Sequence, residues 1–195
     1  MSHAEIREAL EPLAEAERPF AAENRKTPRK EAPPQVLHFV VPYRQWDGAP
    51  LPWSKDFGKK GGQVYSRDGT EPQRSCNEVE VVKRLRRVRD HALWISSYSP
   101  GQIPAIWRPW TAAPSEAPEW LLTLDREVRK ATGRAAGGIP DVVAWNDRDP
   151  RESALLVECK GAMESFKEGQ EDWVVAVLAC GVDREQLAVA VRQFI

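Results

Sequence analysis

The chain has 195 residues, 42% of them hydrophobic and 29% charged, which supports one domain with a buried core plus an appendage. Its formal net charge of −1 excludes a uniformly basic coat, so any contact with nucleic acid must come from a local basic patch. Three scattered cysteines and the lack of an apolar run long enough to span a membrane predict a cytoplasmic protein without disulfides, a zinc site or a membrane partner.

Residues 1–75 are predicted to form an N-terminal extension and linker that is partly flexible. The opening could form a short helix, and the charged, proline-containing run at 27–34 is typical of a linker. The mostly apolar run at 36–41 predicts a strand that ends at Pro42. From Trp46 to Ser75 glycine, proline and charge dominate, which indicates a mobile or loosely packed loop.

Residues 76–195 carry the periodic patterns of a folded domain. The first is a helix that begins at Asn77, with Val81, Val82 and Leu85 on the same face as Glu78. Residues 93–98 predict a strand. Residues 119–132 predict a helix that ends at Gly133.

The last third of the chain predicts a hairpin, a helix and a closing strand. Two strands, at about 139–145 and 154–160, are joined by a turn-rich loop. Ser165 and Glu168 have the S-x-x-E spacing of a capping box and predict the start of a helix that runs to Gly181. Residues 187–194 predict the closing strand.

Charged residues converge at one end of the predicted hairpin. Because alternate side chains of a strand share a face, Glu158 and Lys160 point the same way, and Asp141 on the neighbouring strand can reach them. Two carboxylates and the Cys159 carbonyl suffice for Mg²⁺, and Lys160 could orient or deprotonate an attacking water. Taken separately, Glu158 and Lys160 could be a solvated ion pair on an edge strand, and Asp141 a turn residue. The joint pattern on adjacent strands favours a metal-dependent nuclease.

The same residues carry a resemblance to a known family. P-D at 140–141 followed by E-C-K at 158–160 resembles the PD-(D/E)XK nuclease signature. More narrowly, G-I-P-D at 138–141, V-E-C-K-G at 157–161 and Q-E-D-W at 170–173 resemble the VRR-NUC branch, over about residues 77–195. The resemblance implies an α/β, restriction-endonuclease-like core: a central mixed β-sheet flanked by helices. Residues 76–195 would be the nuclease domain, with an insertion at about 99–136.

The resemblance also implies roles for two helical residues. An upstream glutamate would complete the metal or water network; Glu78 on the core side of its helix is the candidate, whereas Glu80 would cap the helix after Asn77. Glu78 could itself be a capping residue, three positions after Ser75. Gln170 lies on the buried stripe of its helix and needs a partner, which the resemblance places beside the lysine or the scissile phosphate. The alternative is a satisfied core glutamine.

Two basic helix faces are candidates for phosphate contact. Such contacts give sequence-independent, salt-sensitive affinity, although a charge run is often only a solvated helix face. Four tryptophans could stack on unpaired bases, with core or interface packing the commoner role. The candidate nucleic-acid-binding residues are Lys83, Arg84, Arg87, Arg126, Arg129 and Lys130, and the tryptophans are Trp94, Trp107, Trp110 and Trp120.

These observations predict a Mg²⁺- or Mn²⁺-dependent endonuclease that hydrolyses phosphodiester bonds in DNA, structure-specific or of restriction type. The catalytic candidates are Asp141, Glu158, Lys160, Gln170 and Glu78, and the metal ligands are Asp141, Glu158, Glu78 and the Cys159 carbonyl. The alternative is a non-catalytic nucleic-acid-binding module that keeps the nuclease fold. By resemblance alone we also expect a homodimer.

Overall fold

The structure, a computed structural model, describes residues 3–26, 31–43, 77–96, 105–107, 114–115, 117–133 and 139–194. Its elements are α1 (His3–Leu10), β1 (Ala14–Pro19), β2 (Gln35–Tyr43), α2 (Asn77–Leu85), β3 (His91–Ser96), β4 (Ala105–Trp107), β5 (Pro114–Ser115), α3 (Glu119–Thr132), β6 (Val142–Trp145), β7 (Leu155–Lys160), α4 (Glu168–Ala179), a 3₁₀ turn (Arg184–Gln186) and β8 (Leu187–Phe194). The loop predicted at 46–75 and part of the insertion predicted at about 99–136 lie outside the described residues. None of the helices in these ranges is long and apolar enough to cross a membrane.

The described strands form one eight-stranded sheet in the order β1-β2-β8-β7-β6-β3-β4-β5. β8 runs parallel to both of its neighbours, β2 and β7, and the other pairs are antiparallel. The sheet is therefore mixed. β6 and β7 form the predicted hairpin, and β7 lies near the middle of the sheet, where all six of its residues are buried.

Helices cover both faces of the sheet, and each face has its own hydrophobic core. α1 and α2 pack on the face that carries Phe39, Val157 and Ala190, which we call the α1/α2 face. α3 and α4 pack on the face that carries Leu156 and Val189, the α3/α4 face. Alternate side chains of each central strand pack into the two cores. The central strands are therefore almost continuously apolar. Each fully buried Leu, Val or Phe side chain stabilises the fold by about 1.5–3 kcal/mol.

Helix α3 confirms its prediction at both ends. Leu121, Leu124 and Val128 recur at helical spacing and are buried against the α3/α4 face. Gly133 has a φ of 65°, in the left-handed region where a side chain would be strained. The helix ends there because glycine accepts that conformation most readily.

Strand β2 continues through Pro42 to Tyr43, so the prediction that it ends at the proline was wrong. The Val40 carbonyl accepts a hydrogen bond from Leu13 N (2.8 Å) on the β1 side, and Pro42, two residues further on, faces the same side. β1 pairs with β2 only as far as Val40. The missing N–H of Pro42 therefore removes no bond from the sheet.

Helix α4 begins at Glu168 and not near Ser165, so the capping-box prediction was also wrong. The backbone N–H of Lys167 donates to the side-chain Oε1 of Gln170 (2.9 Å). Ser165 lies two residues before Lys167, which is the N-cap. The helix ends at Ala179, two residues earlier than predicted.

The described residues before position 44 belong to the same sheet and cores as the rest of the chain. α1 confirms the predicted opening helix, and it packs in the core of the α1/α2 face. β1 was not predicted, because all six of its residues are exposed and no hydrophobic alternation reveals it. The division into an extension (1–75) and a nuclease domain (76–195) remains a prediction, and the sheet extends across that boundary.

Candidate active site

Two carboxylates lie opposite each other at the open end of the β6–β7 hairpin. The antiparallel pairing, continued one step beyond Val142, puts Asp141 opposite Glu158. The Asp141 backbone carbonyl accepts a hydrogen bond from Ile95 N (2.7 Å), and its Oδ2 accepts one from Cys159 N (2.9 Å). Both neighbouring strands, β3 and β7, therefore hold Asp141 in place.

Glu158 and Lys160 extend from β7 on the α3/α4 face, as the alternation predicted. Glu158 is 2% exposed and Lys160 is 8% exposed. The Lys160 ammonium lies 2.8 Å from Glu158 Oε1. The two residues are a buried pair on a central strand, so the alternative of a solvated pair on an edge strand is wrong.

Gln170, in the first turn of α4, contacts both members of that pair. Its Nε2 donates to Glu158 Oε1, and its Oε1 accepts from Lys160 Nζ (3.1 Å) and from Lys167 N (2.9 Å). These contacts fix the orientation of the amide, since a flip would turn its two donors toward two other donors. The structure thus places Gln170 beside the lysine, and its role in catalysis stays a prediction.

One oxygen of Glu158 has no hydrogen-bond partner in the part of the chain that the structure describes. Oε1 contacts both Lys160 and Gln170, whereas Oε2 is closed to solvent and accepts no hydrogen bond. A buried carboxylate oxygen without a donor is strongly unfavourable. A proton shared with Asp141, or a cation, would satisfy it.

The surroundings raise the pKa of both acidic groups. Burial is the main cause at Asp141, and the charges of Glu158 and Glu78 raise its pKa further, well above its usual range. Cys159 N–H and Lys160 act in the opposite direction. Burial also raises the pKa of Glu158, although the nearby Lys160 ammonium partly offsets it. Such raised pKa values are typical of carboxylates that share a proton or a metal ion at a functional site.

The carboxylates line an open cleft of about 540 Å³, the site cleft, at the start of α4. Glu78, in the first turn of α2, lines the same cleft, and its charge acts on Asp141. The N–H and C=O of a strand residue point to the same side, so the Cys159 carbonyl faces the Asp141 side of β7. The structure therefore brings together all five catalytic candidates and the predicted carbonyl ligand.

The donors in the site cleft fit a divalent cation that keeps part of its water shell. Within the described ranges, no group of three or more Asp, Glu, His or Cys side chains is arranged as a complete metal cage. Mg²⁺ does not require one, because it is usually bound by one or two carboxylates together with waters and substrate phosphate. Asp141, the unpartnered Glu158 Oε2 and the Cys159 carbonyl are oxygen donors of that kind.

The two basic helix faces do not form one surface, because α2 and α3 cover opposite faces of the sheet. Arg84 donates to the carbonyls of Leu10 and Pro42, and Arg129 is paired with the buried Asp125 at 2.5 Å. The residues on one side are Lys83, Arg84 and Arg87, and those on the other are Arg126, Arg129 and Lys130. Phosphate contact therefore remains a prediction for each helix separately.

Sequence reasoning missed two residues that shape the site. Phe166 lies against Lys160, with its ring centroid 5.5 Å from Nζ. The Glu164 side chain accepts a hydrogen bond from Gly161 N (2.8 Å) and so stabilises the turn that follows β7. The available signal was Phe166 itself, the one aromatic residue between β7 and α4. Trp94, a candidate for base stacking, is 7% exposed and packs in the core of the α1/α2 face.

A mixed sheet with helices on both faces carries an acidic pair and a lysine on two adjacent strands, which agrees with a restriction-endonuclease-like fold. Residues 111–191 match the family model described as the VRR-NUC domain, a PD-(D/E)XK-like nuclease domain family. The predicted family and the predicted restriction-endonuclease-like fold are thereby confirmed. No curated protein matches the chain. The matched range includes Asp141, Glu158, Lys160 and Gln170 and leaves out Glu78.

Proposed function

We propose that this nuclease domain hydrolyses phosphodiester bonds in DNA with Mg²⁺ or Mn²⁺, as a structure-specific or restriction-type endonuclease. The observation that carries the proposal is the unpartnered, buried Oε2 of Glu158, which lies on the strand next to Asp141 and beside Lys160. Burying the Glu158 carboxylate beside the partly exposed Asp141 is unfavourable unless a proton or a cation is bound between them, and a cation fits the oxygen donors of the site cleft.

Each residue of the site cleft has a chemical role under this proposal. Asp141, Glu158 and the Cys159 carbonyl would hold the cation, and Glu78 would complete the metal or water network. The cation, when bound, would neutralise the scissile phosphate and increase the acidity of an attacking water.

Lys160 is the residue best placed to act on the attacking water. Its Nζ is held by Glu158 Oε1 (2.8 Å) and Gln170 Oε1 (3.1 Å) and lies against Phe166. A lysine fixed in this way can orient or deprotonate water and stabilise the charge that develops on the phosphate. Gln170 acts through Lys160 and is a positioning residue. Homodimerisation, which would supply a second site for a second strand, also remains a proposal.

The test is cleavage of fluorescent DNAs by the wild-type protein and by Lys160→Ala. The panel contains a duplex, a splayed arm, a flap, a four-way junction and a single strand, each with Mn²⁺ or with EDTA. We expect cutting that requires the metal and falls by at least about 10²-fold in Lys160→Ala, the usual contribution of a general acid–base group.

Asp149→Asn is the matched control for a second variant, Asp141→Asn. Asp149 is exposed and lies in the loop at the other end of the β6–β7 hairpin. Asp141→Asn should lose activity and Asp149→Asn should keep it. Binding of DNA without metal-dependent cutting would contradict the proposal and favour the non-catalytic binding module.

A further inference from the structure

A second cavity, of about 320 Å³, lies beside the site cleft and shares Lys160, Glu164 and Ser165 with it. We call it the Arg18–His38 cavity. Its other walls come from β1, β2, β8, the segment after β1 and the loop after β7, and they include Arg18, Ala21, Glu23, His38, Phe166 and Val191. The N-terminal part of this wall lies outside the residues that match the VRR-NUC domain.

The strand register places His38 in line with the acidic pair. Val189 of β8 lies opposite His38 on one side and opposite Glu158 on the other. Residues in register across neighbouring strands project from the same face, so His38 and Glu158 both lie on the α3/α4 face. They are two strands apart, which puts their Cα atoms about 10 Å from each other. A ligand of nucleotide size could therefore reach from the scissile position to His38.

His38 is a buried polar residue that the proposed reaction does not use. It is 7% exposed, and its Nε2 has no hydrogen-bond partner in the described part of the chain. Burial, with a smaller effect of the Arg18 charge, lowers the pKa of His38 to about 4, so the ring is neutral near neutral pH. A buried polar group without a partner is destabilising. Its place in the wall of a cavity next to the site indicates a ligand.

Aromatic and cationic groups surround this histidine. The Phe166 ring meets His38 edge to face, with 5.7 Å between centroids, and stacks on Phe20 at 3.9 Å. Ala22 forms a β-bridge with Phe166, so the segment after β1 helps to hold that ring in place. Aromatic rings next to cationic groups, here Arg18 and Lys160, are the groups that bind unpaired bases and their phosphates.

We propose that the Arg18–His38 cavity receives one unpaired nucleotide of the DNA strand whose scissile phosphate lies at Lys160. The proposal rests on the proposed function and names its substrate class: DNA that is single-stranded, splayed or flapped beside the cleaved bond. A base within a continuous duplex would have to leave its stack to enter the cavity, which is unfavourable. A base that is already unpaired does not pay this penalty.

The test measures binding in EDTA, where no metal-dependent cleavage interferes, by fluorescence anisotropy. The probes are a short fluorescent single-stranded oligonucleotide and a blunt duplex of the same sequence. Ala21→Trp fills the cavity from a partly exposed position, and His38→Phe keeps a ring but removes the nitrogens. Arg184→Gln is the control, because Arg184 is exposed and lies outside the cavity.

We expect the wild type to bind the single strand about tenfold more tightly than the duplex, which is the effect of one stacked base. Ala21→Trp and His38→Phe should lose most of that preference. Arg184→Gln should keep it. Equal binding of the two probes by the wild type, or an unchanged preference in Ala21→Trp, would overturn the inference. If thermal unfolding shows that His38→Phe does not fold, Ala21→Trp decides.

Cleavage with Mn²⁺, measured on the same proteins, separates this inference from the proposed function. Metal-dependent cleavage without a single-strand preference would overturn the cavity assignment and leave the nuclease standing. A single-strand preference that Ala21→Trp abolishes, without any cleavage, would overturn the nuclease and keep the cavity as a nucleotide-binding site. A preference that depends only on a terminal phosphate of the probe would contradict the assignment to an internal unpaired nucleotide.

Discussion

Gln170 joins the buried Glu158–Lys160 pair to helix α4. One side of its amide bonds to Glu158, and the other side bonds to Lys160 and to the backbone of Lys167. It therefore combines two functions, capping of α4 and positioning of the lysine ammonium. The two functions can be separated by experiment, because Gln186 offers a second buried, capping glutamine at the other end of β7. Gln186 Oε1 accepts from Asp183 N (2.9 Å).

We predict that Gln170→Leu reduces the cleavage rate by about 10²-fold, since a misplacement of about 1 Å at a reacting group has effects of that size. Loss of the cap should lower the free energy of unfolding by roughly 0.5–2 kcal/mol. The affinity for DNA in EDTA should stay close to that of the wild type. Single-turnover cleavage and urea unfolding measure the two effects.

The control for this prediction is Gln186→Leu, which should lower the free energy of unfolding without slowing cleavage. Gln186 Nε2 donates to the carbonyl of Ala154 (3.1 Å), at the start of β7 and far from Lys160 at its end. If both glutamine variants slow cleavage to the same extent, Gln170 has only a structural role.

Residues of the site differ in how far the sequence predicts them. Asp141, Glu158 and Lys160 were predictable, because strand alternation and the hairpin register fix their side and their spacing. His38 was not, because its position beside the site depends on the parallel pairing of β2 with β8, which are about 150 residues apart in the chain. Pairing over such a separation leaves no local pattern in the sequence.

At the scale of elements, α4 holds the N-terminal segment against the site. The buried carboxylate of Glu171 accepts a hydrogen bond from Ala22 N (2.9 Å). Arg25 lies 2.7 Å from Asp172 and 3.4 Å from Glu171. These contacts attach the segment that carries one wall of the Arg18–His38 cavity to the helix that carries Gln170.

We predict that Glu171→Ala lowers the free energy of unfolding by about 1–3 kcal/mol, because it leaves the partly buried Ala22 N–H and the Arg25 guanidinium without this partner. Limited proteolysis should cut the variant near residues 20–26 earlier than the wild type. Glu185→Ala is the control, since Glu185 is exposed. Equal stability and equal proteolysis of the two variants would show that the contacts of Glu171 with Ala22 and Arg25 do not hold the N-terminal segment in place.

Elements were predictable where one periodic pattern dominates. α3 and β8 lie at their predicted positions, because a helical stripe and an apolar run leave little choice. The start of α4 was not predictable from S-x-x-E, because a glutamine inside the helix caps it. β1 could not be found, because its exposed side chains show no pattern and it forms only by pairing with β2.

At the scale of the whole molecule, the chemical site and the second cavity come from different parts of the chain. The carboxylates, Lys160 and Gln170 lie within the VRR-NUC match at 111–191, whereas Arg18 and His38 lie on strands outside it. Both parts meet on the α3/α4 face because β8 joins β2 to β7 in one sheet. Under the proposed function, a net charge of −1 means that DNA would have to be attracted by such local groups.

Calorimetric titration with Mn²⁺ tests whether Asp141 and Glu158 hold a divalent cation, as the proposed function requires. We predict one saturable site in the wild type and in Asp149→Asn, with affinity that rises with pH because the cation displaces a proton from the carboxyl pair. In Asp141→Asn the affinity should fall by about tenfold or more. The absence of saturable binding in the wild type, or equal binding in Asp141→Asn, would show that these carboxylates do not hold the cation.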